Sequence, residues 1–365
     1  MSKPKRQHYH PRSFLRPFAD ETPDGKHLVE VGSVTTREIK FPVGVADICV
    51  TKNLYTLPHV TGDDKYLVEK FYAEQIDGVY PDVYRMLVDP HVIRITEEQR
   101  QQILNTTLSL YFRNARFLND RNQEVDQLFS RFEEKEFHSD DAKLFIRYRG
   151  QQYTFLPSEI AAVKEQIKLK NRQDFIFDHL QDWKDFVVLK KNSQIGVSKI
   201  EGDMKLITSD NPVRISNLNG DADEIFEPRN SIQLPIDRDH LLWISPNGEE
   251  WERDKIYRQV RDWRFALGSN YSVTKYASEW VIGPKGSIVT VFNEFDKYNK
   301  STPENWKEVE KFRSFVEKLT DLVEFVEKNG PYSEAAKQRL IELNNDPEFR
   351  NDPQFREFYE QLVGK

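Results

Sequence analysis

The amino-terminal segment of the chain concentrates side chains that can transfer protons and bind anions. It carries His8 and His10, two residues apart, followed by Arg12 and Arg16. On an extended segment, residues two apart share a face, and two imidazoles on one face can move protons or bind a metal ion. Arginines can clamp a phosphate or a carboxylate. The segment predicts an anion-binding site with a proton-transfer group; the alternative is a solvated basic arm with structural histidines.

A second candidate is the segment Thr-Ser-Asp-Asn-Pro at 208–212, at the predicted end of a strand. Asp210 could serve as a general base, as a metal ligand, or as a carboxylate that orients a histidine. Ser209 lacks the Gly-x-Ser-x-Gly turn of an acyl nucleophile, so we consider it for substrate binding. The same letters are typical of an ordinary Asx turn, and that structural alternative stays open.

A third candidate is Arg113, on a helix that Thr96 is predicted to cap through a capping box with Gln99. Arg113 lies near the border of the helix's apolar stripe. An arginine at such a border is usually paired with a carboxylate, but it could also bind an anionic substrate. His240, just before a predicted strand, is interpreted as a loop histidine.

Composition limits the class of protein. The 365 residues carry a net charge of −7, which disfavours a general polyanion binder but allows a local basic site. The only cysteine, Cys49, cannot form an internal disulfide. The chain shows no P-loop, no Rossmann glycine pattern and no His-Glu-x-x-His motif. The basic first residues lack an apolar stretch after them, and no apolar run is long enough for a membrane helix. We therefore expect a cytoplasmic protein without a membrane partner.

Periodicity predicts the elements that position these residues. Helices are expected over 63–90, from Thr96 onwards, over 121–137, from Pro157 to Trp183 with a break near Asn171, and over 253–280. Strands are expected at Leu28–Val34, Phe186–Leu189, Ile195–Ile200, Lys205–Thr208, Ile232–Ile236, Leu241–Ser245 and Ser287–Phe292. From about Pro303 the chain shows a charged helical stripe, interpreted as a docked layer or as a surface for a protein partner or a second copy.

These elements predict an α+β protein. Its central sheet is mostly antiparallel, with an inserted helical region at about 63–183 and a helical layer at the carboxyl end. One domain is expected over residues 1–300, and a helical extension over 301–365.

The motifs resemble those of the domain of unknown function 4238 (DUF4238) family. His8-Tyr9-x-Pro11 with Leu15-Arg16-x-Phe18 resembles the family's opening motif, and the Thr-Ser-Asp-Asn-Pro segment resembles its second. The Thr96 helix, the strand pair around Leu234-Pro235-Ile236 and Asp239-His240, and Asn270 correspond to later common segments. The resemblance covers roughly residues 5–295. His10 stands where the family usually has an aliphatic residue. The resemblance implies a bacterial protein of the kind found with mobile elements and phage-defence genes, but no established activity.

Together these observations give two hypotheses. The first is a phosphodiester hydrolase, a nuclease in phage defence, with His8 and Asp210 as catalytic residues. In it Arg12, Arg16, Arg113, Ser209 and Asn270 bind substrate, and Asp210, more weakly His10, binds a divalent cation such as Mg²⁺ or Mn²⁺. Its partner is nucleic acid or a nucleotide-like anion. The second is a binding or sensor module without catalysis.

Overall fold

The computed structural model describes most of the chain. The described residues are 6–133, 143–217, 220–221, 224–246 and 252–299, with residues 318, 322, 325–326, 329–330, 333–351, 355–356, 359–360 and 363 of the tail. Two compact units are distinguished, Met1–Phe292 and Asn293–Lys365. The first combines several helices with mostly antiparallel sheets, so the predicted α+β class is confirmed.

The described strands are short. In chain order they are β1 (Arg6–His8), β2 (Asp20–Glu21), β3 (His27–Ser33), β4 (Ile39–Gly44), β5 (Val50–Lys52), β6 (Leu144–Tyr148), β7 (Gln151–Phe155), β8 (Gln194–Ile200), β9 (Thr208–Ser209), β10 (Arg214–Asn217), β11 (Gly220–Asp221), β12 (Ser231–Pro235), β13 (His240–Ser245), β14 (Ile256–Arg261) and β15 (Trp280–Gly283).

The described helices vary widely in length. In chain order they are α1 (Arg12–Leu15), α2 (Leu67–Tyr72), α3 (Tyr80–Val88), α4 (Glu97–Phe112), α5 (Arg116–Glu133), α6 (Ile160–Lys190), α7 (Trp263–Tyr276), α8 (Ser287–Asn299), α9 (Glu334–Leu343) and α10 (Pro347–Asn351). A π-helical turn, Ala73–Asp77, lies shortly before α3.

Two sheets form the centre of the first unit. The larger has the strand order β11-β10-β12-β13-β8-β14, and only the β8–β14 pair is parallel. Strand β8 is buried along nearly its whole length because helices cover it, as a central strand requires. The smaller sheet has the order β2-β3-β15-β9 with β4 on β3, and it brings Thr208 and Ser209 beside β15.

Helix α4 runs through the core and ends at the site. Its predicted capping box is present: Thr96 Oγ1 accepts the Gln99 N–H at 3.2 Å, and Gln99 Oε1 accepts the Thr96 N–H at 2.8 Å. Leu104 and Leu108 are buried in the same core cluster as Phe186 of α6. The helix thereby places Arg113 and the residue after it in the protein interior.

Several predicted elements are wrong in type. Residues 287–292 form the first half of α8 instead of a strand, because Ile288, Val291 and Phe292 share one buried helical face while Val289 is exposed. Residues 186–189 belong to α6, which continues without a break at Asn171. The Asn171 side chain donates to the carbonyl of Arg121 and so stabilises the helix pair.

Several strands are missing from the prediction. The stretch 253–280, expected to be helical, begins with β14 and ends with β15 on either side of α7. Strand β14 pairs with β8, and β15 pairs with β3. This pairing stabilises both segments as strands, because neighbouring strands can override weak local patterns. The hairpin β6–β7 lies within the region predicted as helical, and it packs over α5 with its own apolar cluster.

The second unit is described only in part. Helices α9 and α10 lie in it, and Leu340 and Phe349 belong to its small apolar core. The stripe predicted from Pro303 to Val326 lies largely outside the described residues, so the role predicted for it stays a prediction.

Candidate functional site

The two motif segments meet at the carboxyl end of α4. Arg113 Nη2 donates to the carbonyl of His8 at 2.8 Å, and Asn114 Nδ2 donates to the carbonyl of Asp210 at 2.6 Å. His10 Nε2 lies 2.9 Å from that same Asp210 carbonyl oxygen. The motifs are therefore joined mainly through main-chain carbonyls, and the two consecutive residues 113 and 114 connect them.

His8 and His10 occupy different environments despite their spacing. His10 is fully buried, with its ring edge-on to Tyr9 and tilted against Phe14. Burial lowers the pKa of His10 to about 3, so the ring is neutral near pH 7. Because a carbonyl can only accept, Nε2 carries the hydrogen and Nδ1 has the lone pair. Within the described residues Nδ1 has no hydrogen-bond partner.

The Asp210 carboxylate is bound by backbone amides. Oδ1 accepts the N–H of Ser278 at 2.8 Å, and Oδ2 accepts the N–H groups of Glu279 at 2.8 Å and Trp280 at 3.1 Å. Burial raises the pKa of the Asp210 carboxyl, and the three backbone donors act against that rise. Within the described part of the chain, no histidine ring contacts this carboxylate. Its evident effect is to hold the connection between α7 and β15.

Ser209 and Asn270 are also used by the backbone. Ser209 is fully buried, and its Oγ accepts the N–H of Asn211 at 3.1 Å. Asn270 Oδ1 accepts the N–H of Ile207 at 3.0 Å, and its Nδ2 donates to the carbonyl of Lys205 at 2.8 Å. Both side chains stabilise the approach to the second motif from inside the protein.

Arg113 is buried and has a carboxylate partner. Its Nη1 lies 2.5 Å from Asp77 Oδ1, and its guanidinium stacks 4.3 Å from the ring centre of Tyr72. Asp77 keeps 26% of its side chain exposed and ends the π-helical turn, a feature often found at functional sites. Arg113 thus has the carboxylate partner that is usual for an arginine at the border of an apolar stripe. Through its bonds to Asp77 and to the His8 carbonyl, Arg113 holds the His8 main chain against this turn.

His8 lies at the edge of the buried network. The ring is half-buried, and Nε2 donates to the carbonyl of Ala46 at 3.2 Å, which leaves Nδ1 as the acceptor. Burial lowers the pKa of His8, and the nearby positive charge of Arg12 lowers it further. His8 is therefore a neutral imidazole beside a cation.

Arg12 and Arg16 are exposed on the outer side of α1. They stand one helical turn apart, since the Arg16 N–H donates to the Arg12 carbonyl. Neither guanidinium forms an ion pair with an acid in the described part of the chain. Arg6, on β1, is exposed too, but it pairs with Asp47 at 3.0 Å. Arg12 and Arg16 thus present two guanidinium groups without an acidic partner among the described residues.

The predicted site residues therefore separate into two sets. Arg12 and Arg16 are exposed and follow the half-buried His8 in the chain, whereas His10, Arg113, Ser209, Asp210 and Asn270 are buried and mainly bound to the backbone. Among the residues described, no group of three or more His, Cys, Asp or Glu side chains is placed to hold a metal ion. In the same residues, no helix is long and apolar enough to cross a membrane.

Two residues of this network were missed by sequence reasoning. Asn114 directly follows Arg113, and its amide next to the apolar stripe of α4 was a usable signal, because a buried amide needs partners. Asp77 gave no comparable signal, since its place depends on a π-helical turn that periodicity does not predict.

Comparison with known protein families finds a match. The model of the family described as "Protein of unknown function (DUF4238)" matches residues 6–320. The chain belongs to the DUF4238 family. No curated protein matches it, and no solved structure does. In this DUF4238 protein the match includes both motifs and the whole of α4, the elements that meet around Asp210.

Proposed function

We propose that this DUF4238 protein is a binding module whose basic face, formed by His8, Arg12 and Arg16, takes a small nucleotide-like phosphate anion. The observation that carries the proposal is the pair of exposed guanidinium groups one helical turn apart, without an acidic partner in the described residues. Guanidinium groups match the geometry of phosphate oxygens and retain their charge at any physiological pH.

The rigidity of the face supports this proposal. His8 is fixed through its ring to Ala46 and through its carbonyl to Arg113, and β1 pairs with β5. Phe14 and Leu15, on the inner side of α1, are fully buried. The guanidinium groups therefore extend from an anchored segment, which reduces the entropy lost when a ligand binds.

Binding without catalysis is favoured over hydrolysis by the state of Asp210. A general base or a metal ligand needs an accessible lone pair, and this buried carboxylate already accepts three backbone hydrogen bonds. The proposal therefore gives Asp210 a structural role and leaves ligand contact to the basic face.

Phosphodiester hydrolysis is a second candidate because of the tautomer of His8. With Nε2–H donated to Ala46, the neutral ring keeps a lone pair on Nδ1 close to the Arg12 charge. Such a nitrogen can take a proton from water while an arginine stabilises the phosphorane charge. In this form His8 acts without Asp210. A nuclease role in bacterial phage defence, a divalent cation and a cytoplasmic location stay predictions.

One ligand tests both functions. The 5′-phosphorylated dinucleotide pApA would be titrated calorimetrically into the full chain, with Mg²⁺ and with EDTA, and the mixtures would be analysed for cleavage products. We expect binding without cleavage, at least tenfold weaker in Arg12→Ala and lost in the Arg12→Ala/Arg16→Ala double variant. Arg229→Ala, which removes an exposed cation from the segment before β12, is the matched control and should bind like wild type.

The outcomes separate the candidates. If wild type does not bind, or if Arg229→Ala weakens binding as much as Arg12→Ala, the binding site is wrong. Cleavage that disappears in a folded His8→Ala variant with retained binding would establish the hydrolase instead. Melting curves of every variant distinguish lost contacts from lost folding.

A further inference from the structure

His240, outside the motif network, is held by a carboxylate. Asp237 lies in the turn between β12 and β13, and it is buried. Its Oδ1 accepts the N–H groups of Asp239 and His240, each at 2.6 Å, and its Oδ2 accepts the hydroxyl of Tyr84 on α3 at 2.9 Å. The carboxylate is thus fixed both by its own turn and by a neighbouring helix.

The His240 ring completes this arrangement. Nδ1 lies 2.8 Å from Asp237 Oδ2 and 3.1 Å from Oδ1. Because an ionised carboxylate only accepts hydrogen bonds, the hydrogen of the neutral ring must be on Nδ1, and Nε2 keeps its lone pair. The side chain is 18% exposed, and Nε2 forms no hydrogen bond within the described residues. His240 therefore presents an oriented acceptor.

A lysine occupies the position opposite His240 on the neighbouring strand. In the β13–β8 register His240 is directly opposite Lys199, so the two side chains extend on the same face of the sheet. Lys199 is exposed, and it forms no ion pair with the acids that the structure describes. The other cations of this turn are engaged: Lys205 pairs with Asp239, and Arg238 pairs with Asp20.

We propose that Lys199 and His240 form a site for a small phosphate anion that keeps one hydroxyl on phosphorus, namely inorganic phosphate or a monoanionic phosphate monoester. The Lys199 ammonium binds the anionic oxygens, and His240 Nε2 accepts a hydrogen bond from the P–OH group. Sulfate has the same shape but no hydroxyl near neutral pH, so its oxygen would face the lone pair of Nε2. The site therefore prefers phosphate to sulfate.

The site uses different residues from the basic face around His8. Its selectivity depends on the tautomer that Asp237 imposes, so Asp237 is a positioning residue. In Asp237→Asn, the two backbone N–H groups keep the amide oxygen in the place of Oδ1. The amide nitrogen then faces His240 and donates to Nδ1, and the ring hydrogen moves to Nε2. This isosteric change should convert the acceptor into a donor.

The test is a titration followed by nitrogen-15 NMR of the histidine rings in the full chain. At pH 8, where free imidazole is neutral, the His240 signals, assigned by their loss in His240→Asn, should show the Nδ1–H tautomer. Inorganic phosphate should shift them saturably, with an affinity at least fivefold higher than that for sulfate. Lys199→Ala should weaken phosphate binding at least tenfold, and Asp237→Asn should abolish or reverse the preference over sulfate.

Controls keep this site distinct from the face around His8. Arg12→Ala should leave phosphate binding at His240 unchanged, so failure of one proposal does not imply failure of the other. Melting curves would confirm that Lys199→Ala and Asp237→Asn are folded. The proposal is overturned if phosphate does not shift His240, if sulfate binds equally well, if Lys199→Ala has no effect, or if wild-type His240 carries its hydrogen on Nε2.

Discussion

Two of the aspartate–histidine pairs in the described part of the chain are built in opposite ways. In the pair His10–Asp210, the ring binds the aspartate's main-chain carbonyl, and the carboxylate is turned away towards three backbone amides. In the pair His240–Asp237, the ring binds the carboxylate itself. The first pair is deeply buried; in the second, Asp237 is buried, but the His240 side chain is 18% exposed.

Residue type and proximity therefore do not by themselves establish a reactive site. A carboxylate whose acceptor positions are filled by backbone N–H groups stabilises a connection, whereas one that shares its oxygens with an imidazole also sets the ring's tautomer. His10 and Asp210 lie within the residues that the DUF4238 family model matches. The His240–Asp237 pair is the better placed of the two to meet a ligand, because the His240 side chain is 18% exposed.

The largest expected effect concerns the network around the buried pair. Arg113→Ala removes a buried guanidinium that binds the Asp77 carboxylate and the His8 carbonyl, and it should lower the free energy of unfolding by about 4 kcal/mol. The matched control is Arg116→Ala. Arg116 Nε lies 3.6 Å from Asp120 Oδ2, and Asp120 is exposed, so this substitution should lower the free energy of unfolding by less than about 1 kcal/mol. Urea denaturation measures both. Equal losses would show that burial does not distinguish these arginines.

The next effect concerns the Asp210 carboxylate. Asp210→Ala leaves the N–H groups of Ser278, Glu279 and Trp280 without their acceptor, and we expect a loss of about 3 kcal/mol or more in the free energy of unfolding. Asp203→Ala, at an exposed position, should change it by less than about 0.5 kcal/mol. A stable Asp210→Ala variant that has lost a biochemical activity would contradict the structural role and return Asp210 to the candidate catalytic residues.

A third prediction uses the buried imidazole of the first pair. Burial holds the pKa of His10 at about 3, below the 6.5 of a free imidazole, so on acidification the unfolded chain binds a proton before the folded one does. Stability is therefore lost as pH falls below about 6.5 and continues to fall towards the folded pKa. Between pH 7.5 and pH 5 the contribution is about 2 kcal/mol.

The measurement compares how much the free energy of unfolding changes between the two pH values in wild type and in a variant. Urea denaturation of wild type and His10→Asn at both pH values should show that wild type loses about 2 kcal/mol more on acidification. His179→Asn should behave in the same direction, because burial lowers the pKa of His179 to about 4. If wild type and His10→Asn lose equal stability, the His10 ring is accessible to protons in the folded state.

The sequence predicted the fold class better than it predicted the chemistry of the site. The apolar stripe and capping box of α4 predicted the helix that joins the motifs, and a carboxylate partner for Arg113 was one of the stated alternatives. The different environments of His8 and His10 could not be predicted, because spacing along an extended segment says nothing about which neighbours bury a ring. Similarly, α8 looked like a strand because it begins with a run of β-branched residues, Ile288 to Val291.

For His240, too, the sequence did not predict the environment of the ring. As a residue before a strand it looked ordinary, and only the turn geometry brings Asp237 to its Nδ1. Tyr84 is more than 150 positions away in the chain, and its contact with Asp237 depends on how α3 packs on the larger sheet. Long-range packing of this kind is absent from local periodicity.

The smallest expected effect tests whether α3 helps to hold the His240–Asp237 pair. Tyr84→Phe removes the hydroxyl that donates to Asp237 Oδ2 and keeps the ring, which stacks on Tyr80. One hydrogen bond to a carboxylate is lost, so the free energy of unfolding should fall by about 1 kcal/mol. Tyr153→Phe, whose hydroxyl contacts exposed Gln151, is the control and should be nearly neutral.

The same variant also separates two sources of order in the His240 ring. Asp237 retains its bonds to the N–H groups of residues 239 and 240 in Tyr84→Phe, so the Nδ1–H tautomer should persist while the carboxylate gains some freedom. Ring NMR at pH 8 would show this directly. If the hydrogen moves to Nε2 when only the tyrosine hydroxyl is removed, the turn alone does not orient the Asp237 carboxylate. Helix α3 then contributes to the difference between the His240–Asp237 pair and the His10–Asp210 pair.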